Sequence, residues 1–209
     1  MADRTGLLSA PNRFGRAVIP LEELRKLSND SVVIRLHYTV NHLSRWLTPI
    51  HDPTKLTRAV RRGEPSIKDL LIQLRDEELR IFPKMYLVSV KTHPDLDQLP
   101  LFTRTSAQLE NDARHSPLTI MSEFRRLRHS TLSLLRNLPN DAWSRSGISR
   151  REHDWTLRQL AEHLIAHDYD ILAEMDQALD RTGAREGLAA AQRAHLDELL
   201  RLNPSETRH

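Results

Sequence analysis

The sequence contains no cysteine, which excludes disulfide bridges, thiolate metal sites, iron–sulfur clusters and cysteine nucleophiles. Glycine and phenylalanine are also scarce, with six Gly and 4 Phe among 209 residues, and the apolar content is rich in leucine. An all-β sandwich or barrel is therefore disfavoured. No apolar run approaches the about 18 residues of a membrane span. The first residues carry early charges without an apolar run, so we expect no signal peptide and a cytoplasmic protein.

Lysine is scarce as well, since only five of the 31 basic residues are Lys and the other 26 (31 − 5) are Arg. With 28 acidic residues the net charge is only +3, so the pI of about 9.5 reflects arginine rather than a large excess of one sign. The densest basic cluster, residues 124–129, is expected to form a solvated, salt-bridged face, and we expect no nucleic-acid partner. Eleven His residues favour metal or acid–base chemistry.

Apolar residues recur at helical spacing in four long stretches. Ser66 and Thr156 are predicted N-caps, the latter in a capping box with Gln159. The predicted helices cover residues 20–28, 31–47, a short stretch from Asp52 to near Gly63, 66–90, 105–114 (as a helix or a lid), 117–138, 156–180 and 185–202. We therefore predict an all-α fold, a four-helix bundle with additional short N- and C-terminal helices. The expected limits are a flexible N-terminus at 1–12, the bundle at 13–183, and a C-terminal helix and tail at 184–209.

Two histidines stand four residues apart in the segment HLIAH, as His163 and His167. On a helix this spacing brings both imidazoles to nearly the same face, about 6 Å apart, where they are able to share one metal ion. The spacing alone is a weak signal, because a chain with eleven His produces such pairs by chance and no HExxH motif is present. A half-buried pair bonded to carbonyl groups and water is the equally weighted structural interpretation.

Two segments resemble the DinB-like family, the metal-binding four-helix bundles of DinB/YfiT type. Residues 142–175 match the family pattern T-x-x-x-L-x-x-H-x-x-x-H-D with Thr156, Leu160, His163, His167 and Asp168. Residues 65–85 resemble the other family pattern, and the matching residues are Ser66, Leu74, Asp76, Glu78, Phe82 and Pro83. The likeness covers about residues 30–180, with both segments in the family's order and separation.

The family's first metal histidine falls at position 73, where this chain has Gln73. The resemblance thus implies the metal ligands Gln73, His163 and His167. A neutral amide oxygen is a weak donor to zinc, nickel or copper. Three outcomes stay open: Gln73 is a ligand in an open, weak site; another side chain replaces the missing imidazole; or the metal is lost and the pocket binds something else, with Gln73 as a hydrogen-bond donor. The candidate replacements near in sequence are His153, Asp76, Asp168 and Asp170.

The resemblance implies a divalent-metal cofactor, zinc, nickel or a similar ion, whose binding is weakened or lost because of Gln73. Our main hypothesis is a bundle with a degenerate metal site that binds a small molecule. The alternative is a metal-dependent enzyme, either a thiol-dependent transferase or a hydrolase, as the resemblance implies. Relatives often pair, so we expect a homodimer, and we expect no membrane partner.

The remaining candidates have structural interpretations. His37 and His42 are five residues apart, about 140° around a helix, and do not form a natural pair. His153 precedes the cap of the histidine-bearing helix and is able to approach the pocket from above. The two tryptophans that flank residues 144–154 are expected to pack against the bundle end. Asp76 and Glu78 face different directions, so each is expected to form a salt bridge with an arginine of the bundle.

Overall fold

The computed structural model describes residues 21–188, and its regular structure is mostly helical. The α-helices of this part of the chain are α1 (Leu21–Lys26), α2 (Asn29–Leu47), α3 (Thr54–Thr57), α4 (Ile67–Val90), α5 (Ser106–Arg114), α6 (Pro117–Arg136) and α7 (Leu157–Arg181). Two short strands, β1 (Ser146–Gly147) and β2 (Trp155–Thr156), pair antiparallel between α6 and α7. No helix of residues 21–188 is long and apolar enough to cross a membrane.

The four long helices form a bundle in which each packs on two others. Both α2 and α4 pack against α6 and α7, so the order around the bundle is α2, α6, α4, α7. The successive long helices α2 and α4 are therefore diagonal to each other. Asn29 meets Arg158 near the starts of α2 and α7, and Thr39 meets Asp168 further along both, so these two helices run parallel.

Helices α4 and α7 run antiparallel, as their ion pairs show. Glu64, just before α4, pairs with Arg181 at the end of α7, whereas Glu77 in the middle of α4 meets His163 in the first half of α7. The middle of α4 is thereby held against the histidine segment of α7.

Side-chain caps set where the long helices begin. Ser66 accepts a hydrogen bond from the backbone N–H of Asp69, whose carboxylate accepts one from the backbone of Ser66 in return. Thr156 and Gln159 form the same reciprocal pair at the start of α7. These caps satisfy N–H groups that have no partner within the helix, which fixes the first residue of α4 and of α7.

A buried ion cluster ties the four long helices together. The guanidinium of Arg128 on α6 donates to the carboxylates of Glu78 on α4 and Asp168 on α7, and to the carbonyl of Leu36 on α2. Threonine hydroxyl groups of α2 and α6 donate to the same two carboxylates. The cluster fixes α7 at the residue that follows His167, so it positions the histidine segment along the bundle.

Apolar layers pack on both sides of this cluster. The apolar layer on the side of α3 includes Trp46, Phe124 and Leu70, which are fully buried. Towards the β1–β2 end lie Met85 and Leu160 with their neighbours. The alternation of apolar layer, ion cluster and apolar layer leaves α7 with a buried face along its whole length.

The predicted all-α bundle is confirmed, and the helices differ from the prediction in detail. Helix α3 ends at Thr57 because Arg58 is extended, and Gly63 lies in a turn with a φ of 88°. The predicted loop before α7 contains β1 and β2. Of the helix predicted over 185–202, residues 185–187 form turn and residue 188 has no regular structure, and the rest lies outside the described residues, as do 1–20.

Candidate functional site

Helices α4 and α7 bring a carboxylate, a guanidinium and an imidazole into direct contact. Nε2 of His163 lies 2.5 Å from Oε1 of Glu77. Arg80, one turn further along α4, donates to both oxygens of Glu77 at 2.5 and 2.9 Å. The same guanidinium has Nη2 3.0 Å from Nε2 of His163. The result is a three-membered cluster, Glu77–Arg80–His163, at the surface of contact between the two helices.

The hydrogen bonds of this cluster determine which of its atoms carry protons. An ionised carboxylate only accepts hydrogen bonds, so the short contact with Glu77 requires a proton on Nε2 of His163. Burial by itself would raise the pKa of Glu77, but the hydrogen bonds from His163 and Arg80 outweigh it and hold that pKa well below its ordinary value. Glu77 is therefore ionised throughout the neutral range and binds two donors.

His167, one turn along α7, is partly buried beside the cluster. Burial lowers the pKa of His167, and the nearby charges of Asp168 and Glu77 offset this only in part. Its Nδ1 is buried and has no hydrogen-bond partner among residues 21–188. Burial thus favours the neutral form of the His167 ring, beside the ionised carboxylate of Glu77.

The β1–β2 hairpin covers His163 with aromatic rings. Trp155 meets the His163 ring edge to face, with centroids 5.6 Å apart, and the His153 ring lies 3.9 Å from that of Trp155. The Trp155 indole N–H donates to Glu152, which also accepts from Lys84 of α4. The hairpin is thereby fixed to α4 above the cluster.

Gly147 allows this close approach of the hairpin. A Cβ atom at this position would lie 2.8 Å from side-chain carbons of Leu96 and 2.9 Å from Val88 of α4. Such distances are shorter than real Cβ contacts, so a larger residue at 147 would push the hairpin outward.

A cavity of about 530 Å³ opens beside the cluster, between α4 and the segments 96–105 and 149–152. Arg80 and Lys84 line it from α4, and Glu152 lines it from the hairpin side. Its other wall is largely apolar, formed by leucine and proline residues and by Phe102 of the segment 96–105. Arg80 therefore belongs to the cluster and also lines the cavity.

Several of the residues predicted from the sequence lie outside the Glu77–Arg80–His163 cluster. Gln73 lies one turn before Glu77 on α4, with an exposed side chain and no hydrogen bond to either imidazole in the described part of the chain. Asp170 is exposed on α7. The salt bridges predicted for Asp76 and Glu78 are confirmed, the first with Arg75 and Arg104 and the second with Arg128.

Two of the candidate replacement ligands are engaged elsewhere. Asp168 is buried in the ion cluster with Arg128 and Thr39. Asp76 is held by its arginines on another part of the α4 surface. His153 reaches the site only through the Trp155 ring.

Glu77 and Arg80 are the site residues that sequence reasoning missed. Glu77 follows position 73 by four residues, so both lie on the same face of α4. This spacing was an available signal, but it does not tell which of the two side chains reaches α7. Arg80 follows Glu77 by three residues, a common ion-pair spacing on helices.

The residues present do not fit a tightly held divalent metal. Nε2 of His163, the nitrogen that faces α4, is occupied by the Glu77 contact and lies 3.0 Å from a guanidinium nitrogen. Within residues 21–188 no group of three or more His, Asp or Glu side chains is arranged to hold a metal ion. The positive charge beside the imidazole disfavours a second cation there.

The four long helices thus form an all-α four-helix bundle in which α2 and α4 lie diagonal to each other and α7 carries the histidine pair. Among solved structures, the chain is similar to YfiT from Bacillus subtilis, which is described as a probable metal-dependent hydrolase with an unusual four-helix bundle topology. The TM-score is 0.64 over 76% of this chain and 91% of that chain, at 16% sequence identity. No protein-family model and no curated protein matches the sequence. At this identity the likeness establishes the fold.

Proposed function

We propose that this protein is a small-molecule-binding bundle with a degenerate divalent-metal site, in which Arg80 stands in the place of the ion. The observation that carries the proposal is the position of the Arg80 guanidinium, 3.0 Å from Nε2 of His163 and bonded to both oxygens of Glu77. The guanidinium supplies a fixed positive charge in contact with both the carboxylate and the imidazole.

Competition for His163 makes metal binding weak. An imidazole binds a metal through an unprotonated nitrogen, but Nε2 of His163 carries the proton that the Glu77 contact requires. A divalent ion would have to displace this proton and move Arg80 away from Glu77. The amide of Gln73 is a weak donor and offsets little of that cost.

The cavity beside Arg80 supports the binding of a small molecule. Its volume of about 530 Å³ falls within the about 300–1,000 Å³ that is usual for ligand pockets. It combines an apolar wall with the charged side chains of Arg80, Lys84 and Glu152, which are able to orient a polar end group. We propose an amphipathic molecule as its occupant.

Titration with zinc and nickel tests the degenerate site. We expect untagged wild-type protein to bind either ion with a dissociation constant weaker than about 10 μM, and Arg80→Met to bind at least about tenfold more tightly. The gain should disappear when His163→Ala is added to Arg80→Met. A separate gain in Gln73→His would support the prediction that residue 73, His163 and His167 face one ion. Tight stoichiometric binding by the wild type, abolished in His163→Ala, would contradict the proposal.

Binding of the fluorescent probe 1-anilinonaphthalene-8-sulfonate tests the cavity. Leu101 lines the cavity and is 72% exposed, whereas Leu109 on α5 is 50% exposed and lies outside the cavity lining. We expect Leu101→Asp to weaken probe binding at least about fivefold and Leu109→Asp to leave it unchanged, because only the first places a charge on the apolar wall. Equal effects of both variants would show that the probe binds elsewhere.

The second candidate is a metal-dependent enzyme, such as a hydrolase or a thiol-dependent transferase. It is favoured by one observation, the presence of two imidazoles of α7 and a carboxylate of α4 in the same region of the bundle. This is the ligand type that late divalent metals accept. The zinc titration separates the two candidates, since the enzyme requires the wild type to bind the ion.

A further inference from the structure

A second cavity, of about 510 Å³, lies in a groove between α2 and α6. We call it the α2–α6 groove. Its polar lining consists of His37, Asn41, Ser122, Arg125, Arg126 and His129. Val40 and Leu132 form its apolar floor, and no acidic residue contributes to the lining.

The positive charge of the chain is concentrated on the two helices that form this groove. Apart from Arg128, which is paired with two carboxylates in the core, helices α2 and α6 carry five arginines and two acidic residues, a net charge of +3 (5 − 2) that equals the net charge of the whole chain. The acidic residue on α6 is Glu123, which faces away from the groove and pairs with Arg75 and His115. The acidic residue on α2 is Asp30, in its first turn.

The arginines of the groove have no carboxylate partners among the described residues, 21–188. Neither Arg125 nor Arg126 forms an ion pair within residues 21–188, although Arg128 on the same helix is fully paired in the core. This corrects the expected salt-bridged face at residues 124–129, because Arg128 points inward and its two arginine neighbours are exposed without acidic partners. Two unpaired guanidinium groups thus stand at the mouth of one concave site.

We infer that the α2–α6 groove binds a small organic phosphate that carries more than one negative charge. Guanidinium groups recognise phosphate oxygens by paired hydrogen bonds, and two adjacent arginines match a multiply charged group better than a single carboxylate. Asn41 and the two imidazoles, His37 and His129, add hydrogen-bond donors on both sides of the groove. The Val40–Leu132 floor accommodates the organic part of the ligand.

The site is independent of the Glu77–Arg80–His163 cluster. The groove is bounded by α2 and α6, whereas the cluster lies between α4 and α7, and the two share no residue. Failure of one proposal therefore leaves the other standing.

Titration with inorganic tripolyphosphate and with adenosine triphosphate at about 0.15 M salt tests the inference, because exposed charges are screened at this ionic strength. We expect saturable one-to-one binding of both probes. Arg125→Ala/Arg126→Ala should weaken it at least about tenfold. The control is Arg61→Ala/Arg62→Ala, an exposed adjacent pair outside the groove with the same change in charge. It should change binding less than about twofold.

A variant of the opposite wall tests whether the ligand occupies the groove rather than α6 alone. His37 belongs to α2 and is exposed, so His37→Ala leaves the fold intact and should weaken binding by about threefold. Circular dichroism melting curves verify that each variant is folded. Equal weakening by both arginine double variants, no effect of His37→Ala, or binding of duplex DNA without binding of either small probe would each overturn the inference.

Discussion

Arg128 is a fully buried charge in the centre of the bundle, and its partners account for its presence there. Its guanidinium donates to Glu78, Asp168 and the carbonyl of Leu36. Burial would lower the pKa of Arg128, but the charges of Asp168 and Glu78 outweigh this and keep that pKa above its ordinary value. The arginine is therefore permanently charged and is needed to neutralise two buried carboxylates.

Replacement of this arginine should be among the most damaging single changes. Arg128→Met leaves two carboxylates in the core without their cation, and we expect a loss of about 3–5 kcal/mol in the free energy of unfolding. Urea denaturation measures the loss. Arg136→Met, an exposed change on the same helix, is the control and should cost less than about 0.5 kcal/mol. Similar stability of the two variants would show that the cluster contributes little.

Only some residues of the candidate site could be predicted from the sequence. The spacing of His163 and His167 predicted that both lie on one face of a helix, and both are on α7 beside α4. On α4, Gln73 and Glu77 lie on the same face, so spacing alone does not tell which of them contacts His163. The choice depends on the antiparallel packing of α4 and α7, which arises from long-range contacts.

At the scale of helices, a buried ion pair attaches α5 to the bundle. Asp112 of α5 accepts two hydrogen bonds from Arg75 of α4, at 2.5 and 2.8 Å, and is almost fully buried. The hydrogen bond from Arg75 lowers the pKa of Asp112 and outweighs the opposing effect of burial. A carboxylate with a lowered pKa in the folded state stabilises the protein above its ordinary pKa and loses this effect as pH falls.

Asp112→Asn should therefore destabilise the protein in a pH-dependent manner. We expect a loss of about 1.5–3 kcal/mol at neutral pH, and the difference from wild type should shrink as pH falls below about 4. Amide hydrogen exchange should accelerate in α5 and not in α7. Glu110→Gln, an exposed change on α5, is the control. A loss that is the same at neutral and acid pH would contradict the role given to the ionised Asp112.

The start of α7 makes a second prediction at this scale. Thr156 caps the helix and also pairs with Ser146 in the hairpin. Thr156→Ala should cost about 1 kcal/mol in the free energy of unfolding and should increase the mobility of Trp155, which thermal denaturation and tryptophan fluorescence measure. Thr103→Ala, at an exposed loop position, is the control. No loss in Thr156→Ala would mean that the cap is dispensable.

The helix starts were predictable because the caps are local in sequence. Ser66 with Asp69, and Thr156 with Gln159, each lie within four residues of one another. The paired strands around residues 146 and 156 were not predicted, since each is only two residues long and too short for an alternating pattern. Helix α3 was predicted too long because the turn at Gly63 follows, rather than ends, the helical segment.

At the scale of the whole molecule, the bundle class was predictable and the arrangement of its helices was not. Four long amphipathic helices require a common core, which the sequence pattern shows directly. The diagonal placement of α2 and α4 depends on which faces meet, and it brings Glu77 and Arg80 of α4 against the histidines of α7. The chain therefore combines the four-helix bundle fold that it shares with YfiT with the Glu77–Arg80–His163 cluster between α4 and α7.

Diffraction at the zinc absorption edge, from crystals soaked in zinc, tests this account most directly. Wild-type crystals, soaked at a zinc concentration below the dissociation constant of the wild type, should show no anomalous peak at His163 and His167, because Arg80 and the proton that Nε2 of His163 donates to Glu77 weaken the binding of the ion. Crystals of Arg80→Met, soaked in the same way, should show a peak there. A peak in the wild type at about 2.0–2.1 Å from both imidazoles, with Arg80 displaced from Glu77, would contradict the degenerate site and favour the metal-dependent enzyme.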